Sequence, residues 1–248
     1  MTAFWTSLAI QLRVDLRDRG TLLVFYLVPL VFFFVFGGVL ASLNPLMKDT
    51  LAATMTIFAV TMGALLGVPE PIVKMRESGT LRAYRANGIP GSAVIGVQAT
   101  SAFLHLLLVS AIIYLAAPIV FQARLPQVPL AYLLVLVTFI VASIAVGLLI
   151  GAVAPSQSWA TMLSMFVFLP SLLLSGIMFP ATMLPDVFLW IGRVFPATHA
   201  LQAFYGFAYR STTEIDRTLA LGVLAGIAVI AFAGAVWRFG AIRRNEKD

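Results

Sequence analysis

The sequence contains no cysteine, which excludes disulfide staples, thiolate metal sites and thiol nucleophiles together. Charge is also scarce: Asp, Glu, Lys and Arg make up 10% of the 248 residues, against about 25% in an ordinary soluble domain. Histidine occurs only at His105 and His199, and no His or carboxylate cluster has the spacing of a metal site. The serines form no nucleophile–base pattern with either histidine. A G-x-x-x-x-G-K-S/T loop is missing, so the chain does not hold ATP in the manner of a P-loop protein. Ionisable groups inside the apolar runs, which an ion-coupled carrier uses, are almost absent. These gaps predict a non-enzymatic chain with no cofactor of its own, whose working energy enters from outside.

What fills the sequence instead is apolar. Hydrophobic residues reach 61% and the mean hydropathy is +1.01, the composition of an all-α integral membrane protein. We expect one membrane domain over residues 1–248 with six spans, at 21–41, 51–68, 92–117, 130–153, 159–178 and 218–237. Pro69, Glu70 and Pro71 are expected to close the second span. Between Arg124 and Asp186 no charge occurs, so two spans must fit in that interval. The mixed-charge run Arg13, Asp15, Arg17, Asp18 and Arg19 before the first span does not suit a cleavable signal peptide, so that span is expected to stay as an anchor.

Residues 1–19 read as an interfacial amphipathic helix, with Phe4, Trp5, Leu8, Leu12 and Leu16 on one stripe and Arg13 and Arg17 opposite. It serves either as a membrane float or as a dock for a cytoplasmic partner. The net charge of +6 lies mostly beside apolar runs and reads as topology signal rather than as a nucleic-acid surface. With both termini inside, Arg13, Arg17, Arg19, Lys74, Arg76, Arg82, Arg85, Arg238, Arg243, Arg244 and Lys247 face the cytoplasm. Lys48, Arg124, Arg193, Arg210 and Arg217 face outward, an asymmetry that favours cytoplasmic termini.

Two stretches stand out. Ser171–Ala200 breaks at Gly176, Pro180, Pro185 and Pro196 yet stays hydrophobic between the breaks. That pattern predicts a re-entrant helical hairpin, with residues 179–200 as an external gate, because irregular backbone at membrane depth must be buried in protein or line a cavity. Within it, Asp186 and Arg193 are seven residues apart, and a structural ion pair is expected. The second stretch is the polar loop from Lys74 to Arg85. Gly79 permits a sharp turn, Thr80 suits a helix N-cap, and Leu81 and Tyr84 would share a face of a short helix. Such a helix is either a solvated loop element or a knob for a cytoplasmic socket. Glu70 is expected at the membrane interface beside Lys74 or Arg76, with a part in an internal gate as the sharper reading. His105 is expected to be packed and hydrogen-bonded within the bundle.

The M-x-E-x-G-T-L core of Met75, Glu77, Gly79, Thr80 and Leu81 resembles that of the ABC-2 type permeases, the membrane subunits of ATP-binding-cassette exporters. So does the block Ser175-Gly176-Ile177-Met178-Phe179-Pro180, followed by Leu184-Pro185 and Pro196. The likeness covers essentially the whole chain. It implies a bacterial inner-membrane permease that pairs with a second, identical copy and engages two copies of a separate ATPase carrying ATP and magnesium. Met75, Glu77, Gly79, Thr80, Leu81 and Tyr84 would then form the coupling helix. Ser175, Gly176, Phe179, Pro180, Leu184, Pro185, Phe188 and Pro196 would form the external gate, and the first, second and fifth spans would line the seam between copies. The implied activity is efflux of drug-like or amphipathic compounds, with a lipid or lipid-linked glycan as the alternative cargo. A stand-alone carrier or channel would call for inverted repeats or buried charged pairs, and neither is evident in the sequence.

Overall fold

The computed structural model describes residues 2–43, 48–178 and 183–245, and those residues contain no strand. In chain order the helices are α1 (Thr2–Asp15), α2 (Arg19–Ser42), α3 (Leu51–Glu77), α4 (Thr80–Ala86), α5 (Gly91–Phe121), α6 (Pro129–Val153), α7 (Gln157–Leu174), α8 (Asp186–Gly192), α9 (Pro196–Ala203) and α10 (Arg217–Asn245). Six of them, α2, α3, α5, α6, α7 and α10, are long and apolar enough to cross a membrane. Successive spans run up and down, so α1, α4 and the start of α7 share one end of the bundle while α8 and the start of α10 lie at the other.

Pro69 and Pro71 do not close the second span. The helix continues through both to Glu77. A proline ring collides with the carbonyl four residues back in a regular helix, and for Pro69 that residue is Leu65, inside a π turn over Gly63–Gly67. The wider turn relieves the collision. The same device occurs in α2, where a π turn over Leu23–Leu27 precedes Pro29. The two π turns also pack on each other. Phe25 fills the notch left by Gly63 and Gly67, where an added Cβ at Gly67 would stand 2.6 Å from its ring. A Cβ at Gly63 would stand 2.6 Å from a Leu106 methyl. This is the G-x-x-x-G close-approach rule of membrane helices, with an aromatic side chain as the inserted partner.

On its other side α3 meets α6 at glycines. Gly147 lies directly on the carbonyl of Ala64, and a Cβ at Gly151 would come 3.2 Å from Pro69 Cα. Enclosed by α2, α5, α6, α7 and α9, α3 is 89% buried over its most apolar window. A helix so enclosed by its own chain presents little surface to a second copy, which corrects its expected place at the seam. Spans α2 and α7, at 22% and 28%, keep most of their surface open.

The inward face of α1 also differs from expectation. Leu8 and Asp15 are buried and Phe4, Gln11 and Leu12 half-buried against α5, whereas Trp5 and Leu16 point outward with Ile10 and Val14. The inward stripe is mixed because its polar members find partners on α5.

Candidate functional site

The Lys74–Arg85 stretch is built as a clasp and a knob. At the end of α3, Arg76 reaches the carbonyls of Ala152 (3.3 Å) and Ala154 at the end of α6. The Glu77 carboxylate accepts from the Gln157 N–H (3.3 Å) at the start of α7, where Ser156 Oγ already accepts from Trp159. A cation thus sits on the negative end of one helix dipole and an anion on the positive end of the next. Adjacent residues therefore lock the α6–α7 corner to α3. Met75 packs its half-buried side chain against the core.

Gly79, at φ +72°, then turns the chain, and its N–H bonds the Arg76 carbonyl (3.2 Å) as a left-handed glycine after a helix end does. The Gly79 carbonyl accepts from Ala83, so the cap of α4 falls on Gly79 rather than Thr80, whose hydroxyl pairs with Ser78 Oγ at 2.7 Å. Leu81 anchors α4 at 7% exposure while Tyr84 stands out at 39%, so the two divide between anchor and outward face. A second left-handed glycine, Gly88 at φ +78°, closes the knob.

Glu70 is exposed on α3, and among the described residues no ion pair joins it to Lys74 or Arg76, since Arg76 is committed to α6.

At the far end, Ser175 is buried and Gly176 turns the chain at φ +86° against Leu201. Phe179 and Pro180 lie outside the described residues. Pro185 precedes α8, where Leu184 is half-buried and Phe188 exposed beside Val187 and Trp190. Gly192 sits directly on the Leu174 carbonyl, which pins α8 to the end of α7. Pro196 opens α9, whose residues Ala197 to Ala203 are all buried. Thr198 donates to the Gly192 carbonyl (2.5 Å), and His199 Nε2 donates to the Arg193 carbonyl (2.7 Å). Arg193 stacks its guanidinium on Trp190, 4.3 Å from the ring centre. Among the described residues no ion pair joins it to Asp186, because the aromatic ring is the nearer partner on the same short helix.

One polar group was missed in the sequence. Asp15, 8% exposed, accepts from Ser101 Oγ (2.6 Å) and Gln11 Nε2 (2.8 Å). Its Oδ2 lies 3.5 Å from His105 Nε2, and His105 Nδ1 lies 2.6 Å from the Tyr26 hydroxyl. His105 is hydrogen-bonded within the bundle as expected, but its acidic neighbour comes from a run read as facing the headgroups. This buried carboxylate–imidazole contact was not expected from the sequence, and it sits where α1 packs on α5. Desolvation pushes the Asp15 carboxyl up, yet the nearby His105 ring and the hydrogen bonds from Ser101 and Gln11 outweigh it and hold the group below its ordinary range. The legible signal was Leu8, Gln11 and Asp15 on one helical stripe.

Set beside known proteins, residues 2–209 match the family model described as ABC-2 type transporter. The chain belongs to the ABC-2 type transporter family. Within it, the chain is 28% identical over 159 residues to ABC transporter G family member 20 of Dictyostelium discoideum. That match covers 63% of this chain and 22% of the relative, so the matched region spans less than a quarter of the relative's length. As an ABC-2 protein it is a multi-pass membrane component of an ABC transporter, a family that works with ATP-binding-cassette ATPases.

Proposed function

We propose that this chain is the permease subunit of an ATP-driven exporter, with α4 as the coupling helix and the α8–α9 region as the external gate. The observation that carries the reading is the fastening of the knob. Arg76 and Glu77 tie the root of α4 to the ends of α6 and α7, so a load on α4 enters three spans at once. Tyr84 is the contact residue for a groove on the ATPase, and Leu81 the anchor that keeps α4 from rolling. Motion of ATPase subunits is rigid-body, and a clamped helix transmits it.

Pairing with a second copy uses α7, where Trp159, Met162, Phe166, Leu169 and Leu173 form an exposed apolar ridge at alternating three- and four-residue steps. Phe188 and its exposed neighbours on α8 extend that ridge at the far end. Drug-like or amphipathic cargo suits walls with so few polar groups. ATP and magnesium belong to two copies of the partner ATPase, both termini face the cytoplasm of a bacterial inner membrane, and Glu70 serves an internal gate.

Reconstitution with the partner ATPase in vesicles tests this. ATP-dependent export of an apolar cation dye is expected, and Tyr84→Ala should weaken ATPase docking by about 2 kcal/mol, as truncating an interface anchor does. Export that continues at the same rate without nucleotide would remove the exporter reading.

A further inference from the structure

The Asp15–His105 group lies outside both the coupling turn and the gate, and its partners constrain how it is wired. Ionised Asp15 only accepts hydrogen bonds. The ring nitrogen that faces it, His105 Nε2, therefore carries hydrogen, and Nδ1 shares a hydrogen bond with the Tyr26 hydroxyl. The result is a chain of contacts from α1 through α5 to α2, with Ser101 and Gln11 completing the carboxylate. His105 is 4% exposed, and its Nε2 has no direct hydrogen-bond partner at the 3.5 Å separation. Beside it lies a cavity of about 20 Å3 lined by Asp15, Thr21, Gln98 and His105 among others. That volume suits one water, which these groups would hold as a bridge. The histidine is itself wedged between rings, 5.4 Å from Phe25 and 5.6 Å from Tyr26. Phe25 is the ring seated in the Gly63–Gly67 notch of α3.

We propose that Asp15, His105 and Tyr26 form a buried clasp that makes α1 move as one body with α5 and α2, so that His105 is a positioning residue for coupling. On this view α1 is neither a float nor a passive dock. Its displacement reaches α5 through the carboxylate and reaches α3 through the ring of Phe25. A float would hold only apolar contacts on its inward side, whereas burying an ionised carboxylate there is tolerable only if its partners stay in place.

The absence of cysteine makes the test direct. A Cβ placed at Gly96 comes 3.9 Å from the Phe4 ring, so Phe4→Cys with Gly96→Cys reports α1 against α5 through a short bifunctional thiol reagent. In that background Asp15→Ala and His105→Ala should each lower cross-linking at least about fivefold, and the double change should lower it no further than either alone. Asp15→Asn, which keeps shape and removes charge, guards against simple misfolding and should give an intermediate loss. Unchanged cross-linking in either alanine variant, or losses that multiply, would overturn the clasp. This arm needs no ATPase, so it stands or falls apart from the exporter reading. A second arm rests on that reading: in the reconstituted exporter, His105→Ala should lower dye exported per ATP hydrolysed at least about fivefold while ATP turnover persists. A fall of both rates together would assign His105 to packing alone and reject the positioning role.

Discussion

Helices α3 and α7 are both apolar spans, yet they occupy opposite environments. The more hydropathic α3 lies inside the bundle, and α7 lies largely outside it. Mean hydropathy alone does not report which helix is enclosed, since α2 is more hydropathic than α3 and only 22% buried over its own window. What distinguishes them is residue size and polarity by face. Helix α3 carries Thr54, Thr56, Thr61, Gly63 and Gly67, small groups that let neighbours approach and that satisfy their own hydroxyls. Thr54 and Thr61 donate back to the carbonyls of Thr50 and Ile57, and Thr56 pairs with the Tyr132 hydroxyl at 3.0 Å. Helix α7 turns Ala160, Ser164, Phe168 and Ser171 inward and its large apolar ridge outward, the reverse of a soluble amphipathic helix.

The sharpest way to break the contrast is to empty the contact that encloses α3. Phe25→Ala should cost about 3–5 kcal/mol, read as a lower unfolding midpoint in detergent. A change below 1 kcal/mol would mean that the glycine notch is not what binds α2 to α3. Next, Gly147→Ala drives a methyl onto the Ala64 carbonyl and should cost about 1–3 kcal/mol, whereas Gly222→Ala on α10, with open space around it, should be neutral. Equal effects at the two glycines would sink the close-approach account. Thr56→Val should then remove about 0.6–1.7 kcal/mol, the worth of one hydrogen bond between membrane helices. The smallest expected effect belongs to α7: Phe166→Ala should leave the midpoint of the single chain within about 0.5 kcal/mol, as surface changes do. It should still weaken pairing of copies on a sizing column, and a large loss of stability with intact pairing would reverse the roles assigned to the two helices.

The six spans were legible because runs of that length and hydropathy leave few alternatives. The turn at Gly79 and the short helix after it were legible as well, since glycine acts locally, but the shared face expected for Leu81 and Tyr84 was not found, because packing on the bundle takes Leu81 alone. The path of α3 past Pro69 was not, because the π turn that absorbs the proline is a compromise with Phe25, a residue 44 positions away. Nor was the role of Glu77: its partner, the Gln157 N–H, is 80 residues on, and a carboxylate in a charged loop looks the same whether it caps a helix or faces water. Asp15 was missed for a related reason. Its neighbours Arg13 and Arg17 argue for the headgroups, and only contact with α5 decides otherwise.

The π turn in α3 has an angular consequence. It lodges surplus backbone in an otherwise ordinary helix, so the two halves of α3 are out of phase with a continuous winding. Excising one residue from Gly63–Gly67 would swing the whole segment beyond it by about 100° and draw it in by about 1.5 Å. The compass bearing of Arg76, Glu77 and the knob they carry is thus dialled by a single inserted position, some ten residues from where that bearing is used.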